Sequence, residues 1–98
     1  MTMLQKSDIL ESLRKFKKYK GSAYDIVRIG IFGSIARGTA NDVSDIDVVV
    51  LGKPDMFNLI GIKQDLEDEF RCKIDLVRRR ENMNPFLKKR IDEEAVYV

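Results

Sequence analysis

The sequence predicts an α/β fold in one domain, residues 1–98. Three observations predict it. The length of 98 residues is enough for one hydrophobic core and too short for two. A hydrophobic fraction of 44% beside a charged fraction of 35% is that of a globular chain. Stretches with helical spacing also alternate with short β-branched runs, and glycine, proline and asparagine punctuate the joins.

Thr2 to Lys18 is expected to be helical. Thr2 with Gln5 has capping-box spacing, and Asp8 with Glu11 offers a second start. Ile9, Leu10, Leu13 and Phe16 share one stripe. The basic run Arg14, Lys15, Lys17, Lys18 and Lys20 falls near the helix C-terminus, where cations complement the dipole. Gly21-Ser22 ends this helix. Val27 to Phe32 is the first strand, with Tyr24 and Ile26 leading into it.

A short helix is expected from Ser34 through Ile35, Ala36 and Arg37, closed by Gly38. Thr39 to Ser44 is then a polar loop with Asn41 and Asp42. Asp45 to Leu51 is the second strand, apolar enough for the middle of a sheet. After the turn Gly52-Lys53-Pro54-Asp55, a long helix over Phe57 to Phe70 offers Leu59, Ile60, Leu66 and Phe70 to the core. Its acidic residues Asp65, Glu67, Asp68 and Glu69 are expected on a solvated surface, because helical spacing spreads them around the cylinder. Lys73 to Val77 is the third strand, in which Cys72, Ile74 and Leu76 alternate with Lys73, Asp75 and Val77; Cys72 is expected to be a small core residue. Asn84 caps a last helix with Pro85 in its first turn, and Phe86, Leu87 and Ile91 are expected to face inward. Ala95 to Val98 closes the chain as a short strand.

Composition excludes several functions. Eighteen basic and 16 acidic side chains give a net charge of +2, too balanced to indicate nucleic acid or an anionic membrane. No apolar run is long enough to span a bilayer. MTMLQKSDILE lacks the apolar core of a signal peptide, so a cytoplasmic protein is expected. Cys72 is the sole cysteine and has no partner for an internal disulfide. There is no histidine, so a general base must be a carboxylate, a lysine or a water, and a histidine-containing triad is excluded.

The chemistry concentrates in Ile29 to Val50. Gly33-Ser34 follows the first strand, ten residues intervene, and Asp45-Ile46-Asp47 opens the second. Residues two apart in a strand share a face, so Asp45 and Asp47 project together. Adjacent carboxylates repel and favour a cation, and their hard oxygens suit Mg²⁺ or Mn²⁺. Asp75 sits in the third strand between Ile74 and Leu76. If that strand pairs beside the second, Asp75 completes a three-carboxylate set of the kind used in phosphoryl or nucleotidyl transfer. Gly33 permits close approach of a phosphate, Ser34 adds a hydroxyl and an N–H, and Arg37 is either a phosphate partner or a surface arginine. The spacing matches neither a Walker A loop nor a dinucleotide fingerprint.

The segments GSIARG (Gly33 to Gly38), SDID (Ser44 to Asp47) and IDLV (Ile74 to Val77) resemble the motifs of the minimal nucleotidyltransferases, the smallest members of the DNA polymerase β-like superfamily. Gly33, Ser34, Asp45 and Asp47 match its glycine-serine and Asp-x-Asp pattern in full, and the ending ENMNPFLKKRIDEEAVYV looks like the family's C-terminal helix. The resemblance implies an α/β sandwich with a mixed sheet, two Mg²⁺ ions and a nucleoside triphosphate on Asp45 and Asp47, and Asp75 as third ligand, helping to activate the attacking hydroxyl. It implies that Gly33 and Ser34 grip the terminal phosphates. It further implies an antitoxin that transfers AMP from ATP to a tyrosine of a helical HEPN toxin. With little chain outside the core, the acceptor is expected on another macromolecule; a small acceptor would need a pocket shared with a partner or a second copy. The alternative is a binding module that neutralises its partner by complex formation. Nucleic-acid binding through Arg78 to Arg80 and the first helix is the weakest reading.

Overall fold

Two β-branched runs set the centre of the molecule. In the computed structural model, which describes residues 5–38 and 45–98, the elements follow as α1 (Lys6–Lys20), β1 (Ile26–Phe32), α2 (Gly33–Arg37), β2 (Ile46–Gly52), α3 (Met56–Phe70), β3 (Ile74–Arg78), α4 (Pro85–Glu94) and β4 (Val96–Tyr97). The strands form a mixed sheet in the order β3-β2-β1-β4. The central pair β1 and β2 is antiparallel, as is β1 with β4, whereas β2 and β3 run parallel with α3 as the crossover.

Alternation along the strands divides the core into two layers. Ile29 and Ile31 of β1, Ile46, Val48 and Val50 of β2 and Ile74 of β3 meet Ile9 and Leu13 of α1 and Ile62, Leu66 and Phe70 of α3. Phe32 and Val49 on the opposite face meet Ile91 of α4. Burying an aliphatic side chain of this size contributes about 1.5–3 kcal/mol, so most of the apolar stabilisation lies on the first face. Among the described residues no helix is long and apolar enough to cross a membrane.

Local chemistry explains the ends. Asp55 caps α3 by accepting the Asn58 N–H at 2.8 Å. Asn84 accepts from Phe86 and Leu87, with Pro85 at the first turn of α4, as the sequence predicts. Helix α1 starts at Lys6, with Asp8 accepting the Gln5 N–H at 3.4 Å. The proposed Thr2 cap and the polar loop carrying Asn41 and Asp42 lie outside the described residues.

Two core expectations are corrected. Ile60 is 61% exposed and Phe86 is 83% exposed. In α3 the buried stripe runs through Ile62, Leu66 and Phe70, and in α4 through Ile91 with Leu87 beside it. Ile60 and Phe86 each fall roughly a third of a turn away from the centre of these stripes. The acidic end of α3 is also less uniform than expected. Asp65 accepts from Tyr24 Oη at 2.7 Å and from Lys20 Nζ at 2.9 Å, tying α3 to α1. Glu67 accepts the Ile74 N–H at 3.2 Å. Asp68 and Glu69 are exposed. Cys72 packs against the larger core cluster, and burial, with the charges of Asp45 and Glu67 nearby, pushes its thiol up.

Candidate active site

The α4 face of the sheet brings together residues far apart in sequence. Asp47 shares the face of Val49, and parallel pairing places it directly beside Asp75. Asp45 stands two residues before Asp47, ahead of β2 and not within the strand as the sequence predicts, yet near enough for its charge to act on Asp47. The strand pairing on which the sequence reading depends is present, and it sets Asp75 next to Asp47. Asp75 is exposed, since β3 is an edge strand; it is not the buried charge that its apolar neighbours suggest.

These carboxylates are aligned without being gathered. Among the described residues, no group of three or more Asp, Glu, Cys or His side chains is drawn close enough to hold a metal ion. Like charges repel, and each aspartate of the motif leans towards a cation instead. Lys73 Nζ lies 3.9 Å from Asp45 Oδ2, and Arg90 Nη2 lies 4.0 Å from Asp47 Oδ2. Asp47 nonetheless registers its neighbours. Burial raises its pKa above the usual carboxylate range, Asp75 and Asp45 raise it further, and Arg90 and Arg37 oppose the shift. The hard oxygens of these carboxylates suit a divalent cation in kind, and a cation would relieve their repulsion, but as placed they do not close around one position.

Gly33 is required at its place. Its φ is +75°, which side chains on Cβ rarely tolerate, and a Cβ there would stand 2.2 Å from Asp47 Oδ2. The turn after β1 thus packs its bare backbone against the central carboxylate. Ser34 follows, half-buried, and Gly38 closes α2 in the left-handed conformation.

Arg37 is exposed but tethered. Its Nη1 donates to Glu94 Oε1 at 3.0 Å, and the Gly33 N–H donates to the same oxygen at 3.2 Å. Burial would raise the Glu94 pKa, but the Arg37 guanidinium and the Gly33 N–H hold it below its ordinary value. Arg90 completes the group. Its Nε reaches Glu94 Oε1 at 3.4 Å and its guanidinium lies 5.6 Å from the centre of the Phe32 ring. Sequence reading singles out neither Arg90 nor Glu94. The available signal is their spacing of four in α4, which puts both on one face.

This arrangement has recognisable relatives. The sequence profile described as the nucleotidyltransferase domain matches residues 10–98. A protein named protein adenylyltransferase MntA, from Thermococcus cleftensis, is 31% identical over 100 residues, covering 100% of both chains. A chain from Methanocaldococcus jannaschii, provisionally named a protein adenylyltransferase, is 37% identical over 94 residues, 94% of this chain and 96% of its own length. A solved structure provisionally assigned as a minimal nucleotidyltransferase superposes with a TM-score of 0.77 at 26% identity, covering 98% of each chain. Another, described as a toxin-antitoxin with AMP-PNP, superposes with a TM-score of 0.69 at 25% identity over 96% of this chain and 72% of its own. The mixed-sheet, polymerase β-like fold implied by the sequence motifs is the fold these neighbours share.

Proposed function

This chain belongs to the nucleotidyltransferase domain family, and we propose that it transfers AMP from ATP to a protein hydroxyl, a tyrosine of a HEPN-type toxin, as the antitoxin of that pair. The in-register pairing of Asp47 with Asp75, beside the Gly33 turn, carries this reading. Further support comes from the relatives named for protein adenylyl transfer and from the neighbour described as a toxin-antitoxin with AMP-PNP.

Asp45, Asp47 and Asp75 would hold Mg²⁺, with Mn²⁺ as an alternative. When bound, the metal would supply charge neutralisation at the nucleotide phosphates. The remaining roles fall to the chain itself. Gly33 lets phosphate oxygens approach the backbone, Ser34 offers a hydroxyl donor, and Arg37 offers a guanidinium. Asp75, exposed at the sheet edge, is accessible to a hydroxyl presented by a macromolecule. It would orient that hydroxyl and accept its proton. The acceptor oxygen attacks the α-phosphorus, forming one O–P bond while the bond to the β-phosphate bridge breaks, and pyrophosphate leaves.

ATP labelled at the α-phosphorus distinguishes this reaction from phosphoryl transfer. The expected result is α-label on the partner, with γ-label released as pyrophosphate. Retention of γ-label on the partner would contradict adenylyl transfer.

A further inference from the structure

We infer that Arg90 is a phosphate-binding residue and that Glu94 is a resident anion keeping its place until a nucleotide phosphate takes over. The inference rests on the nucleotide reading above and adds two residues of α4 to it.

Three donors, two from α2 and one from α4, converge on a single oxygen. Glu94 Oε1 accepts from the Gly33 N–H at 3.2 Å, from Arg37 Nη1 at 3.0 Å and from Arg90 Nε at 3.4 Å. Two guanidiniums and a backbone N–H aimed at one oxygen form a seat for an anion, and a phosphoryl oxygen has the matching charge and acceptor geometry. Arg90 also points its other arm at the carboxylate group of the site. Its Nη2 stands 4.0 Å from Asp47 Oδ2, beyond hydrogen-bond length, and 3.1 Å from where a Cβ on Gly33 would lie. The fork therefore spans the turn, with Glu94 on one arm and Asp47 near the other. A planar fork in this position binds phosphate bidentately, which a lysine ammonium does not. The Phe32 ring beneath the guanidinium holds it there. Half of the Arg90 side chain is solvent-exposed, so a ligand can reach it.

Calorimetric titration of ATP and of AMP, both with Mg²⁺, into wild type, Arg90→Gln, Arg90→Lys and Glu94→Gln tests this directly. AMP lacks the terminal phosphates and serves as the internal control. Arg90→Gln should weaken ATP binding about 10- to 100-fold and change AMP binding by about twofold at most. Arg90→Lys should fall between, because it keeps the charge and loses the fork. Glu94→Gln should bind ATP as tightly as wild type or more tightly. Thermal melts of each variant report whether the fold is kept, and Arg90→Lys preserves the test if Arg90→Gln unfolds. An unchanged ratio of ATP to AMP affinity in folded Arg90 variants would overturn the inference. So would a loss in Glu94→Gln equal to that in Arg90→Gln, which would make Arg90 only a prop for Glu94. A wild type that binds neither nucleotide would overturn the nucleotidyl-transfer reading itself, and this inference with it.

Discussion

The two faces of the sheet divide the work between them. Towards α1 and α3, Ile9, Leu13, Ile29, Ile31, Val48 and Ile62 are fully buried and closely packed. Towards α4, the buried apolar centre is Phe32, Val49 and Ile91, and charge rings it: Asp47, Arg90 and Glu94 at one end, Arg79 paired with Asp92 at the other. The same strands supply both. In β2, Ile46, Val48 and Val50 face the closed side, while Asp47 and Val49 face the other. One face can therefore stabilise the fold while the other holds carboxylates at some cost. That cost appears in Asp47, whose proton burial and its acidic neighbours help to retain.

This contrast can be broken, most severely on the charged face. Asp45→Asn combined with Asp47→Asn should reduce label transfer to the partner by about 10³-fold or more, because in the proposed reaction the carboxylates would organise charge at the reacting phosphate. The melting temperature and the complex with the partner should survive. If this variant still protected fully against the toxin, the chain would work as a binding module instead.

On the closed face the effects should be reversed. Leu13→Ala or Ile62→Ala should cost about 2–5 kcal/mol in denaturant unfolding, since each empties a fully buried site. Transfer per folded molecule should be unchanged. A lower turnover in the fully folded fraction would show that the faces are not separable.

Gly33→Ala probes the join between them. A positive φ and a clash with Asp47 should cost about 1–2 kcal/mol of stability and should reduce transfer as well. Loss of stability alone would mean that the turn does not position Asp47.

The smallest effects separate two carboxylates by sign. Asp65, between α1 and α3, would be raised by its burial, but hydrogen bonds from Tyr24 and Lys20 hold it below the ordinary range. Its folded pKa lies below the unfolded one, so its contribution is present above the unfolded pKa and is lost as pH falls through the folded value. Asp65→Asn should lower stability at neutral pH by about 1 kcal/mol, given the half-exposed Lys20, and the melting point with it. Asp47 is the opposite case. Its folded pKa lies above the unfolded one, so the ionised group is destabilising at neutral pH; the penalty declines once pH drops below the folded value and is gone below the unfolded one. Asp47→Asn should raise the melting point at neutral pH, and its advantage should shrink in acid. Melts of both variants across the acid range check the two signs.

Much of this division was legible in the sequence, and the reasons are local. Two-residue periodicity put Asp47 on the face opposite Ile46 and Val48, although Asp45 falls just outside the strand; Asn84-Pro85 marked the start of α4, and Gly33-Ser34 marked the turn. The pairing of Asp47 with Asp75 could be stated only as a condition, because register between distant strands depends on the crossover and not on either strand. Arg90 and Glu94 escaped notice because a charged pair spaced by four in a helix is ordinary on solvated surfaces. What distinguishes it is α4 crossing the sheet beside Gly33 and Arg37. Ile60 and Phe86 were misplaced for a related reason. Apolar residues beside a stripe fit a helical pattern almost as well as those within it, and packing decides the phase.

Intact-mass measurement of a HEPN-type partner after incubation with this chain, ATP and Mg²⁺ reads the proposed adenylyl transfer on the acceptor itself. Active transfer predicts a gain of one or more AMP units on the partner, mapped to a tyrosine and absent with the Asp45→Asn, Asp47→Asn variant. An unmodified partner recovered in a stable complex with the wild-type chain would contradict it.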